Sequence, residues 1–198
     1  MADKKISIED IKKLKELSGA GLTDAKQALV EAKGDFDKAL EAMRKKGLTK
    51  AEKRGDRETR EGLVEAYIHD GRLGAIVEVN CETSFVAKTD EFKTLAHQIA
   101  MQVASMNPLY VSEEDIPEDV RKAKIKELET NFKGPENMKE KILEGQMKKS
   151  FSDKVLLNQP YILDDTKTVE QFIKEAIAKT GENITIRQFK RIELGVTE

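Results

Sequence analysis

The chain has 198 residues, of which 38% are hydrophobic and 36% charged, and its formal net charge is −2. A near-neutral total gives no reason to expect a nucleic-acid binder held by bulk electrostatics, while the apolar share suffices for a core. One cysteine excludes an internal disulfide, and no run approaches the ~20 apolar residues of a membrane-spanning helix, so we expect a soluble, cytoplasmic protein.

The first helix is predicted to begin after Ser7, which can form a capping box with Asp10. Gly19 and Gly21 should end this helix and make a tight turn. Its apolar residues recur at helical spacing and share one face. They are Ile8, Ile11, Leu14 and Leu17.

Two more short helices follow. Thr23 is predicted to cap the second helix and Asp35 the third, with Gly34 between them and Gly47 as the final stop. Their inward residues are predicted to be Ala25, Ala28, Leu29 and Ala32, then Phe36, Ala39, Leu40 and Met43. Three helices in so few residues give a small core, so residues 1–47 are interpreted as a docking module.

Residues 48–60 are polar and basic, and Arg44, Lys45 and Lys46 extend this run. The run is interpreted as a linker that is solvated and partly helical. A contact with RNA or with an acidic partner is the alternative. The absence of interleaved aromatic residues weakens the RNA interpretation.

A change to period-two alternation occurs at Gly62. Asp70-Gly71 interrupts two alternating runs, which is a strong hairpin signal. The faces of the two strands are predicted to be Val64, Ala66 and Ile68 on the first, and Leu73, Ala75, Val77 and Val79 on the second.

A helix is predicted next, from about Phe85 or Thr89 to Ser105, and Asn107-Pro108 ends it. Its apolar stripe comprises Phe92, Leu95, Ala96, Ile99, Ala100 and Val103.

Charged helical sequence then continues to about residue 150. Ser112 and Asp115 form a capping pattern, Pro117 suits a first helical turn, and Gly134-Pro135 divides the segment into a pair of helices. The sparse apolar positions suggest that this pair, at about 113–150, is peripheral.

The tail is predicted to contain a short strand at 160–163, a helix that Thr168 caps and Gly181 closes, and a last strand from Ile184 that pairs with the hairpin. Residues 61–198 would then form an α+β core domain with a small antiparallel sheet and packed helices, following the three-helix module and the linker.

Catalytic chemistry is hard to place on this chain. His69 and His97 are the only histidines and are far apart in sequence, and Cys81 follows an apolar strand, which favours a structural thiol. The sequence contains no phosphate-binding glycine motif and no clustered metal ligands. We expect no enzyme activity, no metal and no cofactor.

The segment from Asn80 to Lys88 leaves a strand and enters a helix. Thr83 and Ser84 both suit an N-cap there, and Phe85 lies in the first turn of the helix. From the residues alone, Phe85 either folds back into its own core or projects as a wedge.

At this segment the chain resembles the elongation factor Ts family. The resemblance covers essentially the whole chain in ordered blocks: SGAGLTDAKQAL, GDFDKALEAMRKKG, VEVNCETSFVAKTDEF, MNPLYVS, LLNQPYILDD and KTGENITIRQF. The first two blocks also resemble the ubiquitin-associated three-helix module. The short middle section is similar to the compact form of the family.

The resemblance implies a guanine nucleotide exchange factor for elongation factor Tu. In that family the helical module docks on the GTPase domain, and a tip of sequence Thr-Asp-Phe-Val disturbs the magnesium and phosphate site, so GDP leaves. The matching tip residues here are Thr83, Ser84, Phe85 and Val86. The matching docking residues are Gly19, Gly21 and Leu22, with Lys15 and Lys26 nearby.

Two positions depart from the family pattern. Ser84 stands where the tip usually has Asp, which keeps a capping side chain but loses a negative charge. Thr23 stands where the family often has a larger apolar residue. Elongation factor Tu is the expected partner, without membrane or direct nucleic-acid binding. A homodimer is left open, because compact members of the family include dimers and the last strand offers an edge.

Overall fold

A computed structural model describes residues 6–18, 20–132, 134–135 and 138–196, with the backbone only for 48–50. The helices are α1 (Ile8–Ser18), α2 (Leu22–Glu31), α3 (Phe36–Glu52), α4 (Ser84–Ala87), α5 (Asp90–Met106), α6 (Glu118–Thr130), α7 (Lys139–Phe151) and α8 (Val169–Thr180). The strands are β1 (Glu61–His69), β2 (Leu73–Cys81), β3 (Pro160–Tyr161), β4 (Asp164–Thr168) and β5 (Ile184–Glu193). Among the described residues, no helix is both long and apolar enough to cross a membrane.

The α+β prediction is confirmed: three N-terminal helices precede a core with a small antiparallel sheet and packed helices. The chain divides into two compact units. Unit 1 comprises Met1–Leu63, Val79–Leu95 and Gln171–Thr185, and unit 2 comprises Val64–Glu78, Ala96–Glu170 and Ile186–Glu198. The predicted division into a docking module, a linker and a core domain at residues 47 and 60 stays a prediction.

In unit 1, the helices α1, α2 and α3 enclose a small core. Its buried residues are Ile11, Leu14, Ala25, Ala28, Leu29, Ala39 and Met43. The predicted capping box is present, since the Ser7 hydroxyl accepts the Asp10 amide at 3.0 Å and the Asp10 carboxylate accepts the Ser7 amide at 3.4 Å. Asp35 caps α3 as predicted, because its carboxylate accepts the Lys38 amide at 3.1 Å.

Several local predictions in this module are wrong. The N-cap of α2 is Gly21 and not Thr23, which lies inside the helix. Gly47 does not stop α3, which continues to Glu52. A Cβ built on Gly47 would lie 3.2 Å from the Ala178 Cβ on α8, so glycine here permits close packing of two helices.

The apolar face predicted for α1 is also too wide. Ile8 and Leu17 are 68% and 54% exposed, and only the two middle residues of that set are buried. The exposed pair lies at the two ends of the helix, beyond the reach of the small core.

The larger sheet has the strand order β1-β2-β5, so the predicted pairing of the last strand with the hairpin is confirmed. Asp70 and Gly71 have φ values of 49° and 65°, as the predicted turn requires. Ala75, Val77 and Val79 are buried, whereas the predicted apolar face of β1 is exposed and half-buried residues occupy the other face. Residues of β1 therefore alternate between two faces as predicted, but the apolar face is the one exposed to solvent.

The predicted stripe of α5 is buried throughout, and Asn107 with φ 45° ends the helix. In unit 2, α6 and α7 form the predicted pair. Phe151 on α7 is buried, whereas no residue of α6 is. Ser112 and Asp115 make the predicted capping box, but Pro117 is the N-cap of α6 rather than a first-turn residue.

The predicted strand at 160–163 is shorter: β3 ends at Tyr161 and pairs antiparallel with β4. Thr168 closes β4, α8 begins at the next residue, and Gly181, with φ 81°, follows the helix as predicted.

Two fully buried glutamines connect α5 to the segment before β3. The Gln102 amide donates to the Gln159 Oε1 at 3.1 Å and to the Pro160 carbonyl at 3.1 Å, and its oxygen accepts the Ile162 amide at 2.8 Å. The Gln159 amide donates to the carbonyls of Met106 at 3.2 Å and Asp153 at 2.7 Å. Buried amides are satisfied by this arrangement, which fixes the end of α5 against the β3 region.

Candidate partner-binding surfaces

The corner between β2 and α4 is closed by backbone and side-chain hydrogen bonds. Thr83 is the N-cap of α4, with extended φ and ψ of −129° and 149°, and its hydroxyl accepts the Val86 amide at 3.4 Å. The Ala87 amide donates to the Thr83 carbonyl at 3.2 Å. Thr89 then caps α5, since its hydroxyl accepts the Phe92 amide at 3.2 Å. Two caps within seven residues keep this corner tight.

Phe85 projects from this corner. It is 79% exposed, so of the two placements left open by the sequence, the structure has the projecting one. Thr83 and Ser84 are exposed as well, whereas Val86 and Ala87 are only 7% and 8% exposed. We call residues 83–86 the tip: three residues face solvent and Val86 attaches them to the core.

Glu182, in the turn between α8 and β5, receives the backbone of the corner. One carboxylate oxygen accepts the Glu82 amide at 3.1 Å and the Thr83 amide at 3.0 Å, and the other accepts the Thr83 hydroxyl at 2.6 Å. These charge-assisted bonds are stronger than neutral ones.

A reciprocal set of bonds runs the other way. The Glu82 carboxylate accepts the Asn183 amide at 2.6 Å and pairs with Arg57 at 3.4 Å. The buried Asn183 side chain donates to the carbonyls of Gly55 at 3.1 Å and Arg57 at 2.8 Å. The corner, the turn after α8 and the segment after α3 are thus connected by hydrogen bonds within unit 1.

Cys81 lies at the base of the corner and is fully buried. Its thiol donates to the Thr83 carbonyl at 3.2 Å. Burial, and then the nearby Glu182 carboxylate, raise the pKa of the Cys81 thiol above its usual value. A protonated, hydrogen-bonded thiol is a poor nucleophile, which agrees with the structural role predicted for it.

The docking residues predicted in the helical module lie around the connection from α1 to α2. Gly21 and Leu22 are exposed at the start of α2, with Leu22 54% exposed, and Lys26 is exposed one turn later. Lys15 is exposed in the last turn of α1. The remaining predicted residue, Gly19, lies outside the described residues.

A family model described as Elongation factor TS matches residues 4–196. The chain belongs to the elongation factor Ts family. It is 52% identical over 192 residues to Elongation factor Ts of Thermotoga maritima, with 96% of each chain covered. It is 50% identical over 195 residues to Elongation factor Ts of Moorella thermoacetica, again covering 96% of each. As an elongation factor Ts family member, the chain acts in translation elongation.

Part of the basic run around the end of α3 is paired with acidic residues of this elongation factor. Lys45 lies 2.8 Å from Glu41, Lys46 lies 3.3 Å from Asp24, and Arg60 lies 2.8 Å from Glu58. Arg54 donates to the Ile177 carbonyl at 3.3 Å. Three basic side chains of the run thus have acidic neighbours.

No cluster of three potential metal ligands occurs among the residues that the structure describes. The His97 Nδ1 donates to the Glu65 carboxylate at 3.1 Å, and the His69 Nδ1 and the Tyr67 hydroxyl share a hydrogen bond of 3.1 Å. Both histidines thus have ordinary polar neighbours on the surface.

Sequence reasoning missed two features of these surfaces. Leu17 was assigned to the core but is exposed near the predicted docking residues. Glu182 was not singled out, because about a hundred residues separate it from the corner that it holds. The available signal was the sequence Gly181-Glu182-Asn183 after α8. In it, a glycine that ends the helix is followed by a carboxylate that the turn places at the corner.

Proposed function

We propose that this elongation factor binds elongation factor Tu in its GDP form and speeds the release of GDP. In this proposal the tip presses against the GTPase near the magnesium and phosphate site, and Phe85 is the wedge. No bond is made or cleaved, so the accelerated step is a dissociation. This explains how a protein can promote it without a catalytic constellation.

The exposure of Phe85 carries the proposal. A large apolar side chain that is 79% exposed would gain by burial against a partner, since about 25 cal/mol is available for each Å² of apolar surface removed from water. Its backbone is held by the two caps and by Glu182, so little conformational entropy is lost on contact. An aromatic side chain that projects from a held backbone is the form that a wedge requires.

We assign the affinity for elongation factor Tu to the helical module. Leu22 and Lys26 on α2, with Lys15 on α1, would contact the GTPase domain, and Gly21, which has no side chain, would allow close approach at the start of α2. Ser84 replaces the Asp that the family usually has, so contact at that position would depend on a hydroxyl and not on a charge.

Exchange is a coupled equilibrium. If the factor lowers the affinity of elongation factor Tu for GDP, then GDP must lower the affinity for the factor by the same ratio. Tip residues should therefore control the maximal release rate, whereas docking residues should control the concentration at which the effect saturates.

Stopped-flow release of a fluorescent GDP from elongation factor Tu tests this proposal at several factor concentrations. We expect Phe85→Ala to lower the maximal release rate by about tenfold or more. We expect Leu22→Ala mainly to raise the half-saturating concentration, because it removes a docking contact distant in sequence from the tip.

Ile192→Ala is a matched control, because Ile192 is a large apolar side chain with 75% exposure on β5. Ile192→Ala should accelerate the release of GDP from elongation factor Tu as much as the wild type does. The wedge would be rejected if Phe85→Ala and Ile192→Ala gave equal rates, and the exchange function would be rejected if the wild type did not accelerate release from a cognate elongation factor Tu.

The alternative of RNA binding through residues 44–60 is not favoured, since no aromatic residue lies among their charges. Homodimer formation stays a prediction and is checked by sedimentation equilibrium.

A further inference from the structure

Within the proposed exchange function, on which this inference rests, we propose that Glu182 is a positioning residue that sets the placement of Phe85. Glu182 does not belong to the tip and is half-buried beneath it. It would act through the Thr83 backbone and hydroxyl, and not by touching the GTPase.

The contacts of Glu182 lie at the residues that determine the orientation of Phe85. Both amides that precede α4, those of Glu82 and Thr83, donate to a single carboxylate oxygen. The second oxygen accepts the Thr83 hydroxyl at 2.6 Å, while that hydroxyl itself caps α4 through the Val86 amide. Because Phe85 lies between the cap and Val86, rotation of the Thr83 peptide would turn Phe85 with it.

The turn that carries Glu182 is itself fixed. Gly181 adopts φ 81°, and its amide donates to the Ile177 carbonyl at 3.0 Å, so α8 ends where the next residue faces the corner. Asn183 then donates its amide to the Glu82 carboxylate at 2.6 Å and its side chain to the segment after α3. Glu182 thereby holds the backbone at Glu82 and Thr83, and Glu82 holds the backbone at Asn183.

Without the Glu182 carboxylate, two amides and one hydroxyl would lose their acceptor. Water can replace it at an exposed corner, so we expect α4 to persist but the tip to sample several orientations. Loss of about 1 kcal/mol of net hydrogen-bond energy corresponds to roughly a fivefold change, and we expect Glu182→Ala to lower the maximal release rate by about that factor. The half-saturating concentration should change less than about twofold, because docking residues are untouched.

A double-mutant cycle with Phe85→Ala separates positioning from general destabilisation. If Glu182 acts through Phe85, Glu182→Ala should slow release in the wild-type background and have no effect in the Phe85→Ala background. Glu182→Gln should retain most of the rate, since one amide oxygen can accept both backbone amides and the amide nitrogen can donate to the Thr83 hydroxyl. Glu113→Ala is the matched control, because the Glu113 carboxylate also accepts a bond distant in sequence, from Asn158 at 2.9 Å.

Each outcome of these measurements either supports or overturns the positioning role of Glu182. Non-additive rates with rescue by Glu182→Gln support the positioning role. Equal losses in both backgrounds, or no loss at all, overturn it while the wild-type acceleration still supports exchange. If wild type does not accelerate release, the exchange function itself fails. Should Glu182→Ala fail to fold by circular dichroism, Thr83→Val enters the same cycle, because it removes only the 2.6 Å hydroxyl bond and the cap.

Discussion

Replacing Gln102 by leucine tests whether the buried glutamine pair stabilises unit 2. Gln102→Leu keeps a similar volume but removes three hydrogen bonds at once. The Oε1 of Gln159, which is fully buried, would lose its donor. An orphaned buried acceptor costs about 1–3 kcal/mol, and each partly buried bond about 0.5–1.5 kcal/mol. The burial of an apolar leucine offsets part of this, so we expect a net loss of about 3 kcal/mol.

Urea denaturation followed by circular dichroism measures this loss, and the midpoint should fall by roughly 1–1.5 M at an ordinary slope. Gln98→Leu, one turn earlier on α5, provides the matched control and should lie within about 0.5 kcal/mol of wild type. A cycle with Gln159→Leu should give a coupling energy of about 1 kcal/mol or more. Equal midpoints for Gln102→Leu and Gln98→Leu would refute the reasoning, since the pair would then contribute nothing specific.

Three further changes have defined outcomes. Gly62→Ala should destabilise the fold by about 3 kcal/mol or more, because φ is 150° and the new Cβ would lie 2.1 Å from the Val79 carbonyl oxygen. Gly71→Ala, with open space around it, should lower the free energy of thermal unfolding by only about 1–2 kcal/mol. Ser7→Ala should cost about 1 kcal/mol and speed amide exchange in the first turn of α1. Because burial and the Glu182 carboxylate disfavour the Cys81 thiolate and so raise the thiol pKa in the fold, the free energy of unfolding should fall as pH rises above the usual thiol pKa of about 9. This alkaline slope should be shallower in Cys81→Ala.

Most of the elements were predictable because their signals are local, although β4 was not predicted. A capping box at Ser7 and an Asp-Gly turn at residue 70 depend on side chains within three residues, and both are present in the structure. The stripe of α5 was predictable because helical spacing alone determines which of its residues share a face.

Several failures depend on residues distant in sequence, whereas the misplaced N-caps of α2 and α6 are errors of one or two residues in a local signal. Gly47 has the local signature of a stop, but α3 continues through it to Glu52, and the glycine instead gives room for Ala178 to pack closely. The outward face of β1 and the exposure of Leu17 depend on where the core ends, which spacing does not encode. The position of Phe85 was ambiguous for the same reason, and Glu182, which holds its corner, is joined to it only by folding.

The burial of Cys81 has a practical consequence for site-specific labelling. It is the only cysteine in the chain, and it is protonated, fully buried and hydrogen-bonded. A thiol introduced at an exposed position, as in Ile192→Cys, would therefore be the single site that a maleimide dye reaches in the folded protein. Fluorophores for distance measurements against a labelled partner can thus be attached without first removing a native cysteine.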